Sequence, residues 1–288
     1  MKSAKKHTPS PAPPALTSAV AQYNRDGYYI ARGLLPRARI DRILREIHQL
    51  AIRQLVLHRL PVCRGNTPPD ILANLQTLFR FDQKIYLSTL TLGAKLTCLY
   101  ELYLDKNIRA FAAALGHEVP FWQTGPVLHL MAPSLRIEGG YYGFATHQDW
   151  PSLQGSLNAV IAWTPLVDID TSMHTMELIP RSHTKGLYPA SDKQHILEVD
   201  PASYNPKDFI RVGAKRGDVV FFSSFTLHRS CDSGDERLRV AASIRYENAA
   251  EPHFIERGYP CAQKRWSSKE LITPNFPTAE QLEKVFKP

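Results

Sequence analysis

Cysteine is scarce in this chain. The four present, Cys63, Cys98, Cys231 and Cys261, are scattered and form no CxxC pair. That excludes a disulfide framework and a thiolate zinc knuckle, and it points to a reducing cytoplasm. Long apolar runs are also missing, since none approaches the ~18 residues needed to span a bilayer. The basic opening, residues 1–15, has no apolar stretch behind its lysines, so it reads as a disordered, proline-rich tail rather than a secretion signal. There is no internal repeat and no glycine-rich phosphate loop. Basic residues exceed acidic ones by a formal charge of +8, yet no block of about five or six like charges gathers them. This dispersal weakens a nucleic-acid reading and leaves solubility, a membrane surface or an anionic small molecule as the meaning of the charge.

What is present is an ordinary globular composition, 43% apolar and 22% charged, which excludes a largely disordered chain. The first part is helical in pattern. Ile40, Ile43, Leu44, Ile47, Leu50, Ala51 and Ile52 recur at three- and four-residue steps and predict a helix over 36–57. Pro36 suits its first turn, where a missing N–H costs nothing. Similar patterns predict helices over 70–81, 87–104 and 108–115, the last stopped by Gly116. Beyond Pro120 the texture changes to short apolar or alternating runs, over 127–131, 141–146, 158–164, 176–179, 209–212, 218–222 and 240–246. Clusters of Pro, Gly, Asp and Ser separate them. Many short strands between turn signals predict a sandwich or barrel rather than βα units. The expected organisation is a tail over 1–15 and a single domain over 16–288. Within that domain a helical part covers about 16–119, a β core about 120–248 and a C-terminal extension about 249–288.

The chemistry concentrates in the β part. In Thr146-His147-Gln148-Asp149-Trp150, strand alternation would project His147 and Asp149 from one face. An imidazole and a carboxylate side by side are two thirds of the two-histidine, one-carboxylate set that holds non-haem Fe(II) with open positions. His228 follows the turn and apolar run Gly217-Asp218-Val219-Val220-Phe221-Phe222. Further on, Arg239, Ala241, Ser243 and Arg245 share one strand face, two arginines around small residues. A guanidinium grips a carboxylate through two parallel hydrogen bonds, which a lysine cannot reproduce.

These residues, in this order, resemble the phytanoyl-CoA dioxygenase family of Fe(II)/2-oxoglutarate oxygenases. The resemblance extends over most of the chain. It begins at Arg25-Asp26-Gly27-Tyr28-Tyr29-Ile30-Ala31-Arg32-Gly33-Leu34-Leu35 and continues through the His147/Asp149 motif, Ala162-Trp163 and Pro165-Leu166-Val167-Asp168. It includes Met176-Glu177-Leu178-Ile179-Pro180-Arg181-Ser182-His183, where Arg181 replaces a glycine usual in the family, and it ends with Gly217-Asp218, His228 and Arg239. The implied fold is mainly β with flanking α-helices, built on a double-stranded β-helix of the jelly-roll, cupin-like type.

The resemblance implies that His147, Asp149 and His228 ligate Fe(II). It further implies that Arg239, with Ser230, binds the distal carboxylate of 2-oxoglutarate and that Trp163 lies near that co-substrate. With O2, and ascorbate as a reductant, such an enzyme hydroxylates a substrate and releases succinate and CO2. Asp149 argues against halogenation, because related halogenases lack the carboxylate so that chloride can bind. The substrate expected is a small or carrier-linked molecule of lipid, sugar or metabolite origin, with Arg245 and Tyr142 as candidate contacts. Loops over 139–140, 168–175 and 186–207 are expected to close over the iron. Two other readings stand beside this one. A nucleic-acid demethylase of the same superfamily is suggested by the charge and by the Arg239/Arg245 spacing, and the third reading is a non-catalytic binding protein on the same fold.

Overall fold

A computed structural model describes residues 14–137, 143–193 and 196–260. Tyr142, the turn at 139–140, the tail up to residue 13 and the extension from 261 onward lie outside the described residues. Helix α1 (Pro14–Asp26) begins at Pro14, so the last two residues of the tail expected over 1–15 are helical. Strand β1 (Tyr28–Ala31) follows, entered through Gly27 at φ +79°. A Cβ at Gly27 would meet His183 Nδ1 at 2.5 Å, so both the backbone angle and the close approach require glycine there.

Helix α2 (Arg37–Leu57) buries Ile40, Ile43, Leu44, Ile47 and Ala51 of the expected face and adds His48 and Leu55, while Leu50 and Ile52 are only half-buried; Pro36 is its N-cap. Helix α3 (Pro68–Phe81) starts two residues before expectation, since Thr67 and Asp70 form a reciprocal capping box and Pro68 opens the first turn. The helix expected over 87–104 is in fact two, α4 (Gln83–Gly93) and α5 (Thr97–Tyr103). The break follows Gly93, where the chain turns through 94–96 before α5 begins at Thr97. Helix α6 (Lys106–Ala114) completes the layer, with Asp105 accepting from the Asn107 amide as its cap.

The strands are antiparallel. In the larger sheet β1, β9 (Val219–Ser223), β4 (Val160–Pro165) and β11 (Arg239–Asn248) lie side by side, with β2 (Pro120–Phe121) and β3 (Val127–Met131) both pairing β11. A smaller sheet has β5 (Met176–Leu178) between β10 (His228–Ser230) and β8 (Ile210–Val212), and β6 (Ala190–Lys193) pairs β7 (Ile196–Val199) as a separate hairpin. Helix α7 (Trp150–Leu153) sits between β3 and β4 in the chain, and α8 (Pro252–Glu256) follows β11. One hydrophobic core runs from the helices into the larger sheet, where Phe111 of α6 stacks on Phe221 of β9 with ring centroids 4.0 Å apart. β4 is buried at every position, as expected of a strand covered on both faces. No helix among the described residues is long and apolar enough to cross a membrane.

Two local features bear on the stability of the fold. Arg181, at the family's glycine position, adopts φ +64°, a left-handed conformation that costs a non-glycine residue roughly 1–2 kcal/mol. Glycine's larger unfolded-state entropy offsets part of that gain. Arg181→Gly is therefore expected to raise the melting temperature slightly, and a fall would contradict the strain.

The second feature is Glu247, near the end of β11. It is buried and accepts hydrogen bonds from the Ser156 amide and hydroxyl at 2.7 and 2.9 Å. Burial pushes its carboxyl up to about 7, the Ser156 hydrogen bonds opposing this. The folded state thus holds a proton that the unfolded chain releases near pH 4.5. This group's contribution is largest below that pH and falls by about 1.4 kcal/mol per pH unit until pH 7. Glu247→Gln removes the dependence, so the melting temperature of the variant relative to the parent should climb between pH 5 and pH 8. A constant difference would contradict the assignment.

Candidate metal centre

Two segments bring the site together, the stretch from His147 to Asp149 and the start of β10. β10 begins with His228, and His147 pairs with it as an isolated antiparallel bridge, through His147 N–H to His228 O at 3.0 Å and the reverse bond at 3.1 Å. Asp149 departs from expectation. It does not continue a strand but takes helical backbone angles (φ −72°, ψ −34°) at the head of α7. The run expected over 141–146 is likewise not a strand in its described part, 143–146. The carboxylate therefore comes back toward His147 because the chain turns, not because a pleat alternates.

His147, Asp149 and His228 are buried, and one potential ligand atom from each lies within 4.8 Å of the others. Nε2 of His147 is 3.3 Å and Nε2 of His228 is 3.9 Å from the same carboxylate oxygen, Oδ1 of Asp149. Each ring's other nitrogen faces a backbone carbonyl, Nδ1 of His147 on Ala145 at 2.7 Å and Nδ1 of His228 on Thr226 at 3.0 Å. A carbonyl only accepts, so Nδ1 carries the proton and, in the neutral ring, Nε2 presents its lone pair. Burial and the neighbouring His147 push His228 down to about 3, which keeps that ring neutral. Burial alone would raise the Asp149 carboxyl, but the charge of the Arg245 guanidinium beside it holds it far below the usual range. Lone pairs and a carboxylate converging in a buried space need a cation between them, and this nitrogen-oxygen donor set suits Fe(II).

The cavity beside the triad is narrow and is lined by His129, Trp163, Ser230, Arg239, Ser243 and Arg245 among others. Arg239 is buried at the start of β11. Its Nη1 donates to the His174 carbonyl at 3.0 Å and its Nη2 reaches Ser230 Oγ at 3.5 Å. A buried guanidinium beside a serine hydroxyl is a fitting donor set for a carboxylate. A wider cavity of about 990 Å³ lies between α2, α3 and the segments around Val167 and Leu238. It contains no histidine, and its Arg216 is paired with Asp41 and Asp168, so the chemistry belongs to the smaller cavity.

Other expectations fare differently. For Arg245 the sequence leaves a substrate contact and a structural ion pair open; the structure places it in an ion pair with Asp149, at 3.0 Å from Nε to Oδ2. The segment over 186–207 is not a bare lid: it contains the β6–β7 hairpin and docks on the metal motif. There the Val199 amide donates to Thr146 O at 2.9 Å and the Tyr204 hydroxyl to Thr146 Oγ1 at 2.9 Å. The loop over 168–175 packs at the Arg239 end, where Asp170 pairs with Arg237 and His174 holds Arg239. His183 bonds the Asn24 carbonyl and fixes a turn.

Sequence reasoning passed over Gln148. Its buried amide donates to Gly186 and Phe225 carbonyls and accepts from the Tyr188 amide, tying the metal motif to two neighbouring segments. Its position inside the His-x-Asp motif was the available signal. Phe144, packed against His147 at 5.3 Å between ring centroids, was also not singled out.

The antiparallel fold and this buried centre define the class of two-histidine, one-carboxylate metal oxygenases on a double-stranded β-helix. The phytanoyl-CoA dioxygenase (PhyH) family matches residues 23–238, and the chain belongs to that family. It is an oxygenase-type enzyme that uses iron and 2-oxoglutarate. Among solved structures, the fold is similar to the epimerase SnoN in complex with Fe3+, alpha ketoglutarate and nogalamycin RO. That match has a TM-score of 0.54 and 20% identity over 82% of this chain and 84% of the other. AviO1 from Streptomyces viridochromogenes Tue57 matches with a TM-score of 0.51 and 17% identity over 84% and 99%. The non-heme monooxygenase ThoJ, in its apo form, matches with a TM-score of 0.50 and 18% identity over 79% and 76%. No curated protein matches the chain.

Proposed function

We propose that the protein is an Fe(II)/2-oxoglutarate-dependent dioxygenase that hydroxylates a small or carrier-linked organic substrate. The observation that carries this reading is the buried His147/Asp149/His228 cluster with its two imidazole Nε2 atoms facing one carboxylate oxygen. Bound there with 2-oxoglutarate and O2, iron supplies the oxidising power to break a substrate C–H bond, 2-oxoglutarate leaving as succinate and CO2. The chain's own residues do the positioning. The Ala145 and Thr226 carbonyls hold the two imidazoles in the tautomer that presents Nε2. Arg239 and Ser230 take the distal carboxylate of the co-substrate, and Trp163, buried on β4, walls the same cavity. Neutral His129 stands beside them, held well below its ordinary pKa by burial and by Arg239 and Arg245. It adds no further positive charge where the anion binds.

Residues 16–288 are proposed to act as one unit, a reading supported by the core that helices and sheet share. Relatives of this fold include an epimerase and a monooxygenase, so the outcome of the reaction must be read from product. The decisive experiment screens organic substrates for stimulated succinate formation and follows the product by mass. A gain of one oxygen atom is the expected result. Substrate-stimulated succinate with an unchanged or two-hydrogen-lighter product would overturn hydroxylation.

A further inference from the structure

We infer that Arg245 is a positioning residue for the metal-binding carboxylate, acting through a hydrogen-bonded chain that ends at His129. The inference rests on the iron-site reading above. An aspartate at the head of a helix ordinarily turns its carboxylate back onto the free amides of the first turn. Asp149 occupies that position before α7 and makes no such bond. Its carboxylate is held by Arg245 instead. Nε donates to Oδ2 at 3.0 Å and Nη2 to Oδ1 at 3.3 Å, and the two side chains are only 12% and 7% exposed.

The fork has a directional consequence. Oδ2 receives the shorter bond, while Oδ1 is the oxygen facing both imidazole Nε2 atoms. Arg245 thereby selects which oxygen is offered to a metal and opposes a swing to two-oxygen ligation. A lysine, with a point charge and no fork, could attract the carboxylate but not orient it.

Arg245 is itself fixed. β11 pairs β4 at this position, Arg245 opposite Ile161. Nη1 donates to Ser243 Oγ at 3.1 Å, and Ser243 Oγ lies 2.8 Å from His129 Nε2. The hydroxyl has one proton, so accepting from Arg245 lets it donate to His129. The polar chain His129–Ser243–Arg245–Asp149 thus runs along the wall of the cavity beside the triad. Arginine at this site belongs to the metal carboxylate rather than to substrate.

The test is anaerobic titration of the metal-free full chain with Co(II), read by calorimetry and by the visible spectrum, without turnover. Loss of groups that orient metal ligands typically weakens metal binding ~10–100-fold. Arg245→Ala is expected to bind Co(II) weaker by about that factor, with a shifted visible band. Arg245→Lys should recover part of the affinity but not the parent spectrum, and Ser243→Ala should fall between. If Arg245→Ala does not fold, the lysine and Ser243 variants carry the test. Parent affinity and spectrum in the folded variants would overturn the inference. If the parent and His147→Ala titrate alike, the iron-site reading itself fails, which separates the two outcomes.

Discussion

His147→Ala is expected to abolish the weak visible band that anaerobic Fe(II) and 2-oxoglutarate give in the parent protein, and to reduce succinate formation by more than about 100-fold. The size follows from rank. Residues that merely orient a metal ligand are worth ~10–100-fold, and His147 supplies one of the three protein donor atoms found at the centre among the described residues. The substitution is tolerable for the fold, because the backbone bridge between residues 147 and 228 does not depend on the side chain. Metal binding and melting temperature should therefore separate, with the first lost and the second lowered only modestly. An undiminished band in the variant would sink the assignment of the triad. So would a parent protein that gives no band.

The second large effect is expected at the opposite end of the cavity. Arg239→Ala should raise the KM for 2-oxoglutarate by roughly 30- to several-thousand-fold, while succinate formation at saturating co-substrate falls far less. Losing one partner of a buried, hydrogen-bonded charge pair costs about 2–5 kcal/mol, and each 1.4 kcal/mol is tenfold. The guanidinium is 2% exposed, so water does not screen it. Arg239→Lys keeps the charge but loses the paired N–H groups and should stand between the two. Because Arg239 also donates to the His174 carbonyl, some loss of stability is expected in both variants. The KM shift must exceed what that loss explains. A KM within twofold of the parent in a folded variant would place the distal carboxylate elsewhere.

Much of this protein is legible without coordinates. The periodic burial of α2, the change to short strands after Pro120 and the chain order of His147, Asp149, His228 and Arg239 all follow from residue type and spacing. Side-chain periodicity reports local geometry faithfully where a segment is regular. It misled at Asp149 because that residue opens a helical turn, and at the expected helix over 87–104 because the chain turns after Gly93 and starts a new helix at Thr97. Neither turn has a periodic signature.

The residue types alone specify which donor atoms the protein owns, and the resemblance they carry implies the metal and co-substrate. Only the tertiary structure decided how those atoms are aimed. Two carbonyls select the imidazole tautomers, and a bridge joins His147 to His228 across a large gap in the chain. Arg245, for which sequence alone leaves substrate and ion pair equally open, is directed onto Asp149. Chemical identity resides in the side chain, whereas direction depends on partners distant in sequence, and only folding supplies those partners.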